Sequence, residues 1–225
     1  MMKELLQTYV GSIVELDISG KKTPVRGKLI ETGNDLIVLY NGTEYLYVPT
    51  LHIQRMSRSE SVEKDLGWTV PAESPFEPQN ELSYRKTLMN AKGVFTELYI
   101  TGQQSVHGYV TSIMNDYFVY YSPVFHAVFV SLRHLKYLIP YMPDATPYAL
   151  NQERFPLQPV GVTLARTFDQ QLKKLEGQFV VLDLGENPNK IGLLKTFDYP
   201  MLELVTSKGE SMLFHAEHVK TVHMP

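Results

Sequence analysis

Seven histidines are the residues best suited to chemistry in this chain, and their spacing decides which chemistry is open to them. His215 and His218 lie three apart, with His223 close behind. On a helix the first two would share a face and could begin a metal site. No H-E-x-x-H or comparable ligand pattern accompanies them, and the sequence contains no cysteine. That composition removes thiol nucleophiles, disulfides and cysteine-based zinc sites together, so neither a metal nor a cofactor is expected. Serine, histidine and aspartate all occur, but without a G-x-S-x-G elbow or another context that would activate a nucleophile. Glu15 and Asp17 are two apart, which on a strand puts both carboxylates on one solvated face. No catalytic residue is assigned, and the chain is expected not to be an enzyme.

Three of the histidines belong to a repeat instead. His52, His134 and His218 are each followed by an aliphatic residue and then Gln or Lys: Ile53-Gln54, Leu135-Lys136 and Val219-Lys220. Each is preceded, 25 or 26 residues earlier, by a glycine: Gly27, Gly108 and Gly192. Each copy also opens on a glycine: Gly11, Gly93 and Gly177. Landmarks that recur three times in the same order mark a tandem repeat. A fold-closing residue is needed once per copy, whereas a catalytic one is rarely needed three times. The histidines are therefore expected to close the turn before the last strand by bonding backbone groups.

The elements between the landmarks read as β. After each opening glycine, apolar residues alternate: Val14, Leu16 and Ile18, then Thr96, Leu98 and Ile100, then Val180, Leu182 and Leu184. A short polar turn follows, then a second strand opened by the mid-copy glycine, where a side chain at a sharp bend would strike the neighbouring backbone. Third strands span 36–40, 117–121 and 201–205, and Asn41-Gly42 and Lys208-Gly209 signal hairpins. A final short strand follows each histidine. Helices are expected before each copy, at 3–9, 77–92 and 162–176, the last with Leu164, Phe168, Leu172 and Leu175 on one face. Five short strands with no room for a crossover helix predict a small antiparallel barrel. The fold class is thus mainly β, with three tandem small five-stranded barrels, each behind a short helix. The expected boundaries are 1–56, 86–140 and 164–225, with an acidic linker at 57–85 and a proline-containing one at 141–163.

Partners are constrained by charge and aromatics. The net charge of −3 offers nothing general to nucleic acid or to acidic membranes. No apolar run is long enough to span a bilayer, and the early acids Glu4, Glu15 and Asp17 are unlike a signal peptide. The second copy is crowded with aromatics, too many for one small barrel to bury, so some must face another module or a protein partner. Tyr99, Tyr109, Tyr120, Tyr121 and Phe125 are the candidates, together with the single tryptophan, Trp68, read as an anchor that docks the first linker. The partners expected are other proteins or further copies of the chain.

The order of opening glycine, alternating strand, glycine, Asp-hydrophobic strand, hairpin and H-[ILV]-[KQ] resembles the repeat of the Bacillus spore coat protein B family. The resemblance covers roughly residues 3–56, 88–138 and 172–222. It implies a non-enzymatic structural protein that resides in the cytoplasm or on the spore coat and contacts other coat components. More distantly, each copy is similar to the Sm-like and SH3-like small barrels. Sm-like proteins often bind RNA, so an RNA-binding adaptor is the alternative function.

Overall fold

A computed structural model describes residues 2–59, 68–71, 74–76, 81–101, 104–142, 145, 148 and 163–225. Most of the expected proline-containing linker, and parts of the acidic one, lie outside the described residues. The fold is mainly β. The first copy has helix α1 (Met2–Gln7) and strands β1 (Ile13–Ile18), β2 (Val25–Thr32), β3 (Leu36–Tyr40), β4 (Tyr45–Pro49) and β5 (Ile53–Arg58). The second has α2 (Tyr84–Asn90), β6 (Phe95–Thr101), β7 (Gln104–Ile113), β8 (Tyr117–Ser122), β9 (His126–Ser131) and β10 (Tyr137–Pro140). The third has α3 (Phe168–Lys174), β11 (Phe179–Leu182), β12 (Ile191–Asp198), β13 (Met201–Thr206), β14 (Ser211–His215) and β15 (Thr221–His223).

The compact units do not follow the copy boundaries. One unit comprises Met1–Ser105 with Lys136–Pro147, and the other Val106–Leu135 with Tyr148–Pro225. The second copy is thus divided: its first and last strands lie in the first unit and its middle strands in the second. Strand order in the first unit is β6-β10-β4-β3-β2-β1-β5, all antiparallel neighbours. In the second it is β14-β13-β12-β11-β15-β9-β8-β7.

The expected closed barrels are not formed. Closing the first copy would require β4 to pair with β5. Instead the free edge of β4 takes β10, a strand of the next copy, and the free edge of β9 takes β15. A ladder edge already satisfied by a neighbouring copy has no groups left with which to close its own barrel, so the sheet stays open.

Bending survives without closure, and the second strand of each copy supplies it. A Cβ placed on Gly27 would lie 2.9 Å from the Tyr40 carbonyl oxygen, and one on Gly108 or Gly192 would press still closer on the carbonyl oxygens of Tyr121 and Val205. Just beyond each glycine the register slips, between Leu29 and Glu31, Val110 and Ser112, and Leu194 and Thr196. Such bulges bend a strand and raise its local twist. The opening glycines Gly11, Gly93 and Gly177 each carry a positive φ at the turn into the first strand.

The second and third helices start later than their sequence patterns, because caps set their starts. Thr167 accepts from the Gln170 amide and starts α3 at Phe168, leaving Leu164 before the helix. Ser83 accepts from Lys86 and starts α2 at Tyr84. A second cap comes from the preceding copy: Asp35 Oδ1 accepts the Tyr84 amide at 2.8 Å, and Asp116 Oδ1 accepts the Phe168 amide at 2.8 Å. The backbone carbonyls of the same two residues accept the amides of Thr50 and Leu132. In the third copy Pro200 occupies this place. Its carbonyl still accepts the Ala216 amide, but it has no side-chain acceptor.

Each unit has its own core, and both cores mix copies. In the first unit Tyr99, Tyr137 and Ile139 join Val14, Leu16, Leu39 and Val48. In the second, Tyr117, Val119 and Phe129 join Leu172, Val180, Leu204 and Val222. Replacing Gly108 by Val should cost about 2 kcal/mol or more by overpacking against the Tyr121 backbone. Thermal unfolding reads this as a lowered midpoint, and an unchanged midpoint would contradict the close approach.

Candidate interaction site

The residues that repeat converge where one copy meets the next. In the first unit, β4 runs alongside β10 with Tyr47 opposite Leu138. In the second, β9 runs alongside β15 with Phe129 opposite Val222. Tyr47 and Phe129 are each the fifth residue before a landmark histidine, and Leu138 and Val222 each the fourth after one. The two junctions therefore use one register. All four side chains are buried, and burial pushes the Tyr47 hydroxyl up to about 12. The hydroxyl lies 3.4 Å from the Ser74 Oγ, and the Tyr47 ring packs on Phe76.

The histidines sit beside these strands, and two of them serve the junction. His52 is buried. Its Nδ1 lies 3.1 Å from the Ser19 Oγ and 3.1 Å from the Lys136 Nζ, which also donates to Ser19 Oγ at 2.9 Å. A lysine ammonium can only donate, so Nδ1 accepts and the ring proton lies on Nε2. Lys136 is the basic residue of the next copy's H-[ILV]-[KQ] step. His134, half-buried, places Nε2 2.9 Å from the carbonyl oxygen of Glu217, again in the next copy. His218 is exposed and makes no side-chain hydrogen bond among the described residues; its ring lies 5.4 Å from that of His215. His52 thus keeps a bond to Ser19 of its own copy and adds one to Lys136 of the next, His134 bonds the following copy, and His218 has no following copy among the described residues. Of the adjacent aliphatics, Leu135 and Val219 are buried and Ile53 only partly.

A polar cleft of about 160 Å³ lies beside the second junction, lined by Asp116, Arg133, Asp169, Tyr199 and Glu217 among others. Its groups are committed to one another: Asp116 caps α3, Arg133 lies 3.5 Å from Glu217, and the Tyr199 hydroxyl donates to Glu217 at 3.2 Å. Asp169 is held above the usual carboxylate range by burial and by the negative charges of Asp116 and Glu217, against the opposing pull of Arg133. The cleft's bonds run between the second copy and the third. Behind it, buried Asp183 accepts the Lys220 amide at 2.6 Å and the Thr221 amide at 3.2 Å, and pairs with Lys190 at 2.5 Å. That network fixes β15 against β11. Among the described residues no three metal-ligating side chains converge.

The structure does not gather the expected aromatic partner surface. Tyr99, Tyr109 and Tyr120 are buried, with Tyr99 stacked on Tyr137 at 4.9 Å and the Tyr120 hydroxyl bonded to the Val106 carbonyl. Tyr121 and Phe125 are half-buried, Phe125 against His223. Trp68 lies on Gly42 in the β3–β4 hairpin, a linker anchor within the first unit. Asp35 and Asp116 escaped the reading of functional residues; the signal for them was the Asn-Asp pair before the third strand in both copies.

A family described as the YwrJ third domain matches residues 167–222, from the cap of α3 to β15. Over 223 residues the chain is 40% identical to the uncharacterized protein YwrJ of Bacillus subtilis (strain 168), covering 98% of this chain and 99% of that one. The chain belongs to the YwrJ family. The match to a third domain falls on the third copy, consistent with a multi-domain YwrJ architecture.

Two predictions follow from how this YwrJ-family chain uses its histidines. Alanine substitution should be graded: about 2 kcal/mol lost at His52, about 1 at His134 and less than about 0.5 at His218, following burial and bonding. Denaturant unfolding measures the series, and equal losses at all three would contradict the junction role. His223 is buried, and its imidazole is pushed down to about 4, first by burial and then by His126. An unfolded histidine binds its proton near pH 6.5. The native state therefore keeps this contribution above about 6.5 and loses it as pH falls toward about 4, by about 3 kcal/mol at most. His223→Gln should flatten the fall in unfolding free energy across that window.

Proposed function

We propose that the chain is a non-enzymatic structural and protein-interaction protein associated with the spore coat. The observation that carries this reading is the use of the repeated residues. The landmark strands, histidines and aspartates serve to join one copy to the next rather than to surround a substrate. Among the described residues Asp116, Arg133, Glu217, Asp183, Lys190, His52 and Lys136 are engaged in caps, ion pairs and junction bonds. The H-[ILV]-[KQ] repeat supports the coat assignment through its similarity to the spore coat protein B repeat, and the relative from a Bacillus agrees with such a setting. The absence of any helix long and apolar enough to cross a membrane among the described residues is compatible with attachment through protein contacts.

A fluorescent fusion followed through sporulation tests the reading. The expected outcome is a signal that gathers on the developing spore and stays with the purified coat fraction. Even fluorescence throughout the cell at every stage would overturn it. Binding to generic RNA should be weaker than micromolar at about 150 mM salt, since the net charge of −3 leaves few phosphate contacts to survive screening. Tighter binding would move the assignment to the RNA adaptor.

A further inference from the structure

Two strand edges remain paired on one side only. Among the described residues β5 pairs with β1 alone and β14 with β13 alone. β5 is the last strand of the first copy and β14 the fourth strand of the third. They are the two kinds of edge that meet at both internal junctions. We infer that β14 of one molecule pairs with β5 of a second, in the register of the two internal junctions, so that the chain associates head to tail.

The register follows residue by residue. Internally, the fifth residue before a landmark histidine faces the fourth after the next one, as Tyr47 faces Leu138 and Phe129 faces Val222. The same positions on the open edges are Leu213 and Met56. Their backbones are oriented for it. The Thr206 amide donates to Glu210 and the Ala216 amide to Pro200. In an antiparallel ladder inward-bonded pairs alternate with outward-facing ones. Ser211, Leu213 and His215 therefore turn their amides and carbonyls outward. On β5 the Ser59 amide donates to Ile13, which by the same alternation turns Met56 and Arg58 outward, both on the Ser59 side of the register shift at Asp17/Ile18. Among the described residues each edge is a row of donors and acceptors with no strand beside it, of the kind that pairs with another chain.

The side chains carry the same mark. Leu213 is 68% exposed, whereas its counterparts Tyr47 and Phe129 are 4% and 0% exposed. Met56 is half-buried, whereas Leu138 and Val222 are buried. The landmark histidine agrees. His134 reaches the carbonyl of Glu217, the residue before the next landmark histidine; the corresponding acceptor for exposed His218 is Leu51 of the second molecule, itself 71% exposed. Charge is compatible as well. The register sets Arg58 against Ser211, beside Glu210. Because the two surfaces differ, the contact is heterologous, and each added molecule presents a fresh edge. This association stands apart from the coat assignment and is tested on the purified chain.

Sedimentation velocity of the full chain over a range of concentrations should show species larger than the monomer, growing with concentration. Leu213→Pro removes an outward-facing amide that β13 does not use, so the fold tolerates it, while association should weaken about tenfold or more. His218→Ala should weaken association and leave thermal stability unchanged. Since the chain has no cysteine, mixing Met56→Cys with Leu213→Cys chains under mild oxidation should yield the mixed disulfide in preference to either homodimer. A monomer at every concentration, or association that Leu213→Pro leaves intact, would overturn the inference.

Discussion

The structure depends on one requirement: the outward edge of a fourth strand must find hydrogen-bond partners. Both internal fourth strands, β4 and β9, find them in the fifth strand of the next copy. Much of the rest is arranged around that pairing. The sheets remain open because the groups that would close each copy are already engaged. The cores mix copies because side chains beside a shared ladder are buried together. The second copy is divided because its two ends belong to different ladders. Even the landmark histidines, which look like features of a single module, are placed to bond across the ladder.

Much of this arrangement could be read from residues. The alternation after Gly11, Gly93 and Gly177 placed the first strands, except that β11 ends at Leu182 and leaves Leu184 in the turn beyond it, and the carbonyls crowding Gly27, Gly108 and Gly192 are the collision that a bent second strand implies. The hairpin at Asn41-Gly42 sits where its dipeptide indicates, with Asn41 Oδ1 accepting the amides of Thr43 and Glu44. What could not be read was whether each copy's strands would turn back on themselves. A β4 that pairs with β5 and a β4 that pairs with β10 have the same alternation, length and flanking turns, because backbone hydrogen bonds carry no residue identity. The closed barrel was therefore the simpler inference, and the structure replaces it.

The candidate site was legible in part for the same reason. Repetition pointed to His52, His134 and His218, but their partners are Lys136, Ser19 and a carbonyl, and a histidine in sequence does not name the copy it faces. The aromatics of the second copy are too many for one small barrel to bury. Tyr99 and Tyr117 are buried in cores built largely from the flanking copies, leaving little of that surface for a foreign partner. The second and third helices start later than their apolar patterns because Ser83 and Thr167 accept amides of the first turn, a local hydrogen bond that outranks periodicity at an end.

The caps have a consequence for the copies themselves. Asp35 starts the helix of the second copy and Asp116 that of the third, while Pro200 stands in the same place in the third copy and could start nothing. The three modules are alike in strand order yet not exchangeable. Moved ahead of another copy, the third would leave the next helix without its carboxylate. That single position thus sets the third module apart, while the first two remain alike in it.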